Sequence, residues 1–195
     1  MDVELTFVDP LLGTIPTNGD IFEKYIGAPD TEESGHLPPE DEEAKEEKPE
    51  LMVTGFYRDD EGHPALRDYH IKGFFKDAAG SLRRIPGNKT GYYSAYKKVV
   101  DGLIFPAPRY IPLLMPDGGE ITYCDRPGRS SGPGGDRVFL MRSEQVPVGT
   151  SIHFSLTMLD EAMWDWVRGL LDYGHYRGLG QWRNSGMGRF RWQEA

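Results

Sequence analysis

The chain holds one cysteine, Cys124, in 195 residues. A single thiol excludes a disulfide framework and a cysteine-based zinc site. No apolar run reaches the length of a membrane-spanning helix. The opening MDVELTFVDP lacks the basic start and long apolar stretch of a secretion signal, so a cytoplasmic location and no membrane partner are expected. Histidine is scarce, at five residues, and none falls in a metal-ligand spacing. No metal and no cofactor are therefore expected.

Glycine (24 residues) and proline (15) together make about a fifth of the chain, which signals many turns and short elements. The formal net charge is −9, but it is unevenly spread. Between Asp30 and Glu61 there are 13 acidic residues against three basic ones (Lys45, Lys48, Arg58), and from Gly62 onward 18 basic residues face 13 acidic ones. A mildly basic body is thus hidden behind one acidic stretch. Within it, residues 30–50 contain almost no large apolar side chain, and such a segment cannot offset its ordering entropy. It reads as a disordered insertion inside a single domain spanning residues 1–195, because apolar patterning resumes on both sides.

Apolar periodicity places the elements. Residues 3–8 alternate as a half-buried strand, and residues 18–26 form a short helix. Residues 51–57 read as a strand. Ile71, Phe74, Phe75, Ala78 and Leu82 share one face of a helix over 69–83. A second short helix over 92–100 would turn Tyr92, Tyr96, Val99 and Val100 inward. Residues 103–114 read as an edge or bulged strand, broken by Pro106, Pro108 and Pro112. Residues 120–125 and 137–144 flank a flexible loop, RPGRSSGPGGD, in a hairpin insertion over 119–145. Residues 151–159 form a strand, Asp160 caps a helix, and residues 189–193 form a last strand. Without the insertions the order is strand, helix, strand, strand, helix, strand. This is an α+β chain with a ferredoxin-like (RRM-like) βαββαβ core and an antiparallel sheet.

The most informative stretch is Gly178-Leu-Gly-Gln-Trp-Arg-Asn-Ser-Gly-Met-Gly-Arg-Phe190. Two Gly-x-Gly pairs, Gly178/Gly180 and Gly186/Gly188, bracket a five-residue spacer. Glycine permits positive φ and removes side chains, so backbone amides can approach a polyanion. Arg183 and Arg189 add charge, and Trp182 offers a stacking face. The loop follows a helix and opens a strand, the reverse of a dinucleotide-binding turn. The plain alternative is a tight helix-to-strand connection.

This loop resembles the glycine-rich loop of the RAMP superfamily of CRISPR-associated proteins, whose members process guide RNA or build and cap effector complexes. His70-Ile-Lys-Gly-Phe-Phe-Lys-Asp-Ala resembles the helix start of that family's backbone subunits, and Arg142 to Phe154 resembles its turn into the third core strand. The resemblance implies an RNA-binding protein holding single-stranded or guide RNA, partnered by copies of itself or by ribonucleoprotein subunits, and encoded in a defence locus or a phage. Gly178, Gly180, Gly186, Gly188, Trp182, Arg183, Arg189, Lys72, Lys76, Arg126 and Arg129 are the residues expected to meet RNA. The family usually carries two ferredoxin-like units in its processing enzymes, whereas this chain has one, and the acidic insertion is foreign to it. Two other readings stand beside this one. A metal-independent endoribonuclease would use His175 or His70 as acid or base. A phage-type interaction module would join or mimic an effector complex. His63 also precedes the first core helix without a motif, His153 reads as a strand residue without chemistry, and His36 lies in the acidic segment.

Overall fold

A computed structural model describes residues 1–17, 51–132 and 135–195. The helix expected over 18–26 and the acidic insertion over 30–50 lie outside these residues.

Strands β1 (Asp2–Phe7), β2 (Leu11–Leu12), β3 (Ile15–Pro16), β4 (Leu51–Gly55), β5 (Tyr57–Arg58) and β6 (Pro64–Arg67) lead into helix α1 (Asp68–Leu82). A 3₁₀ turn (Lys89–Tyr92) precedes α2 (Tyr96–Leu103), β7 (Ile104–Ala107) and β8 (Tyr110–Pro112). The chain continues through β9 (Thr122–Gly132), β10 (Gly135–Val146) and β11 (Ser151–Met158) to α3 (Trp164–Asp172), α4 (Gly174–Arg177) and β12 (Phe190–Glu194). The protein is α+β with several antiparallel pairings.

The main sheet has the order β12-β1-β11-β7, and every pairing in it is antiparallel. Strict alternation along β1 and β11 buries Val3, Leu5 and Phe7 with Ile152, Phe154 and Leu156. The apolar stripe of α1 (Ile71, Phe74, Phe75, Ala78, Ala79) and that of α3 (Trp166, Val167, Leu170, Leu171) join the same core. Fully burying each large apolar side chain contributes about 1.5–3 kcal/mol. The other side of the sheet carries Glu4, Thr6, His153, Ser155 and Thr157, with Phe105 at its edge. It therefore offers little aromatic surface on which bases could stack.

Four local expectations are corrected. Residues 92–100 divide into the 3₁₀ turn and α2, and Tyr92, expected inside, is 85% exposed. Asn88 caps the start of that turn by accepting the Thr90 N–H at 2.9 Å, and Tyr92 ends it on the solvent side. Residues 103–114 give not one edge strand but two in different sheets, β7 beside β11 and β8 beside β6, each at its sheet's edge, because Pro108 has no N–H with which to continue the β7 ladder. The helix after Asp160 begins as a 3₁₀ turn, with the Asp160 carboxylate accepting the Ala162 N–H at 3.0 Å.

The fourth concerns the loop RPGRSSGPGGD. It is a paired ribbon, since β9 and β10 run in register from Thr122↔Gln145 to Gly132↔Gly135. Glycine at 128 makes this possible. A Cβ there would collide with the Phe139 ring, which lies across the ribbon and fills the gap. The base of β10 meets β4 in parallel and β2 antiparallel, which ties the ribbon to the body.

Candidate functional site

The glycine loop hangs between α4 and β12 and is held from within. Leu179, 3% exposed, is its anchor in the core. The Leu179 N–H donates to Gly188 C=O and the Gly188 N–H to Pro10 C=O, both at 2.9 Å. Gly178, Gly180, Gly186 and Gly188 all have φ between +68° and +83°. Three of them are also steric necessities. A Cβ on Gly178 would strike the Gly188 backbone, one on Gly188 would strike the Leu179 carbonyl, and one on Gly180 would lie 2.7 Å from the Leu12 oxygen. Gly186 differs, because a Cβ there meets nothing nearer than 3.8 Å.

The loop's amides divide in two. Those of Leu179, Ser185, Gly186, Met187 and Gly188 donate to backbone carbonyls. Those of Gly178, Gly180, Gln181, Trp182, Arg183 and Asn184 have no acceptor among the described residues. Positive φ at Gly180 and Trp182 falls where these amides lie; backbone turns of alternating hand are the kind in which successive N–H groups can meet an anion.

The cations expected at the loop are mostly paired. Arg183 donates to Asp77 Oδ2 at 3.2 Å, and Arg177 donates to the same oxygen at 2.8 Å. Arg177 also donates to the Asn184 side-chain oxygen. One carboxylate of α1 thus holds two guanidiniums and leaves a net positive charge. The hydrogen bond to Asp77 pushes the Arg177 pKa further up. Arg189 donates to Asp9 at 2.6 Å, and that bond raises its pKa too. Lys76 pairs with Asp101 at 2.6 Å, while Lys72 donates to the Asp101 carbonyl at 3.1 Å and sits over the Phe105 ring. Lys72 and Lys76 therefore form their own patch between α1 and α2.

Arg126 is the exception. Its guanidinium lies 5.5 Å from the centre of the Trp182 ring, and its Nε–H donates to Cys124 Sγ at 3.4 Å. No carboxylate pairs with it among the described residues. The structure thus joins Arg126 of the ribbon to Trp182 of the glycine loop, two residues 56 apart in sequence. Arg129 belongs to the same ribbon, paired with Val138 through the backbone, and its side chain lies outside the described ones.

Among the described residues, neither histidine singled out for catalysis has a carboxylate partner. His175 is exposed on α4 beside the Tyr176 ring. His70 is fixed in place. Its Nδ1 accepts the Arg67 N–H at 3.1 Å at the start of α1, and its Nε2 lies 3.4 Å from Thr14 Oγ1. Burial, then the nearby Arg67 charge, depress its pKa to about 4.

Sequence reasoning passed over the cluster around Arg67. That guanidinium lies 4.4 Å from the Tyr110 ring, 5.2 Å from Tyr57 and 6.0 Å from Tyr69. It donates to the Tyr110 hydroxyl at 2.7 Å, and the Tyr69 hydroxyl donates to Tyr57 at 2.8 Å. Burial and the bond to Tyr57 raise the Tyr69 pKa. The tyrosines come from β5, α1 and β8, so no local spacing in the sequence announces them.

No family model and no curated protein matches the chain. Solved structures do. A chain in the cryo-EM structure of type III-B Cmr-beta bound to cognate target RNA aligns with a TM-score of 0.54 at 12% identity, over 99% of this chain and 58% of that one. A chain of the type IV-B CRISPR complex aligns with a TM-score of 0.51 at 10% identity, over 98% of this chain and 88% of that one. The chain thus spans little more than half the length of the type III-B subunit. Its fold is that of subunits in CRISPR complexes.

Proposed function

We propose that this protein is a RAMP-like RNA-binding subunit of a CRISPR-type ribonucleoprotein, holding single-stranded or guide RNA. The sheet order supports a ferredoxin-like core. Numbering only β1, β7, β11 and β12, it reads fourth, first, third, second, with α1 and α3 as the two crossover helices. The observation that carries the RNA reading is the glycine loop. Its five successive amides without an acceptor among the described residues, 180–184, lie beside the Arg177–Asp77–Arg183 cluster, which keeps one surplus positive charge. Such a surface takes phosphates without reading bases. The shared fold of CRISPR-complex subunits supports the same reading. Arg126 of the ribbon adds a cation beside the loop, and Lys72 and Lys76 form a separate basic patch between α1 and α2. A cytoplasmic location and assembly with further copies or other subunits follow from this role.

The test is binding of purified full-length protein to unstructured RNA across a salt series. Expected is affinity that falls linearly with salt on logarithmic axes, at a slope of about −0.7 per neutralised phosphate. Absence of binding at low salt overturns the proposal. RNA cleavage in the presence of chelator, lost in His175→Ala with affinity retained, would replace it by the endoribonuclease reading.

A further inference from the structure

We infer that Trp182 is a nucleobase-stacking site, kept closed by Arg126 of the ribbon when no RNA is bound. This rests on the RNA-binding reading and adds a base contact to a site otherwise built for phosphates.

Three independent observations converge on Trp182. Its φ of +53° makes it the only non-glycine residue with positive φ among the described residues. A bulky side chain is disfavoured in that conformation, and such strain persists where the surroundings impose it for a purpose. Core packing does not impose it. Trp166 belongs to the core cluster and Trp164 and Trp192 pack against it, but Trp182 does not. Side-chain hydrogen bonding does not impose it either, although the Trp182 carbonyl accepts the Ser185 N–H at 2.8 Å and the Met187 N–H at 3.4 Å and so helps hold the turn. Trp166 and Trp192 donate their indole N–H groups, to Thr90 and Asp172, and Trp182 has no such acceptor among the described residues.

What the ring does have is a planar cation across it. At 5.5 Å the guanidinium is within cation–π reach of the indole, and a cation and a stacked base compete for the same π face. Arg126 has no carboxylate among the described residues to compete for it. When a base takes the Trp182 face, Arg126 is free to follow the adjoining phosphate. The left-handed turn that strains Trp182 also lies within the row of amides at 180–184 that have no acceptor among the described residues, so one backbone conformation presents both indole and amides to a strand. The ligand is an unpaired nucleotide within single-stranded RNA, held by its base plane and its phosphate rather than by its sequence.

The experiment compares the full-length protein with Trp182→Gly, Trp182→Phe and Arg126→Ala. Each is measured against oligouridylate and against an abasic strand of equal length, with melting recorded for each variant. Glycine accepts positive φ, so Trp182→Gly should melt at or above the wild-type temperature. It should bind oligouridylate about 5- to 100-fold more weakly. The abasic strand should bind wild type and Trp182→Gly alike. Trp182→Phe should keep most of the affinity, and Arg126→Ala should flatten the salt slope by about 0.7. If wild type binds RNA and Trp182→Gly binds it equally well, the stacking site is overturned while the RNA-binding reading stands. A loss that persists on the abasic strand overturns it as well, by making Trp182 a structural residue. If wild type binds neither strand, both proposals fall.

Discussion

At the residue scale, the four loop glycines are not equivalent. Gly188 and Gly186 share positive φ, but a Cβ on Gly188 runs into the Leu179 carbonyl while one on Gly186 finds space. Alanine at 186 should cost about 1–2 kcal/mol, the ordinary penalty for a left-handed residue, and alanine at 188 clearly more. Chemical denaturation of the two variants checks this order, and equal losses would show that the loop adjusts around Gly188. His70 gives a pH prediction. Its pKa is about 4 when folded, against an ordinary histidine value near 6.5. The unfolded chain therefore binds the proton first as pH falls, so this contribution is complete above about 6.5 and drains away toward 4. Between pH 7 and 5 the loss is about 2 kcal/mol. His70→Gln should flatten that part of the stability profile, and an unchanged slope in the variant would remove His70 as its source.

At the element scale, α1 organises both the core and the loop. Its inward face buries Phe75 completely, and Phe75→Ala should cost about 3–5 kcal/mol, read from the shift in denaturation midpoint. Its outward face carries Asp77, which holds Arg177 and Arg183 together. Asp77→Asn removes the negative charge between them. It should lower stability by about 1–3 kcal/mol while making RNA binding tighter and steeper in salt. Weaker binding in a folded Asp77→Asn protein would mean that Asp77 is needed to aim the arginines, and that their charge alone is not enough.

At the scale of the whole molecule, one apolar cluster links the main sheet to its neighbours. Leu11 and Val146 of one sheet and Leu66 and Ile111 of another share a core with Phe7, Phe75 and Phe190. A chain whose sheets share one core should unfold in one cooperative step, with calorimetric and van't Hoff enthalpies in agreement. Two resolved transitions would divide it into separate units.

The sequence by itself determined what repeats locally. Alternation set β1 and β11, and helical periodicity set the buried faces of α1 and α3, because in each case one face must leave water. The paired glycines announced a left-handed, tightly packed loop, since few other residues occupy that backbone. Only the tertiary structure decided which charges are spent and which remain. Arg183 and Arg189 look alike in sequence to Arg126, but Asp77 and Asp9 lie against the first two and no carboxylate lies against the third among the described residues. The ribbon was hidden for a similar reason. Glycine-, serine- and proline-rich strands have weak local preference, and cross-strand pairing, with Phe139 over Gly128, supplies what local propensity lacks. Nor can spacing show that Trp182 meets Arg126 or that three tyrosines surround Arg67. Those contacts join segments that come together only after the sheets have packed.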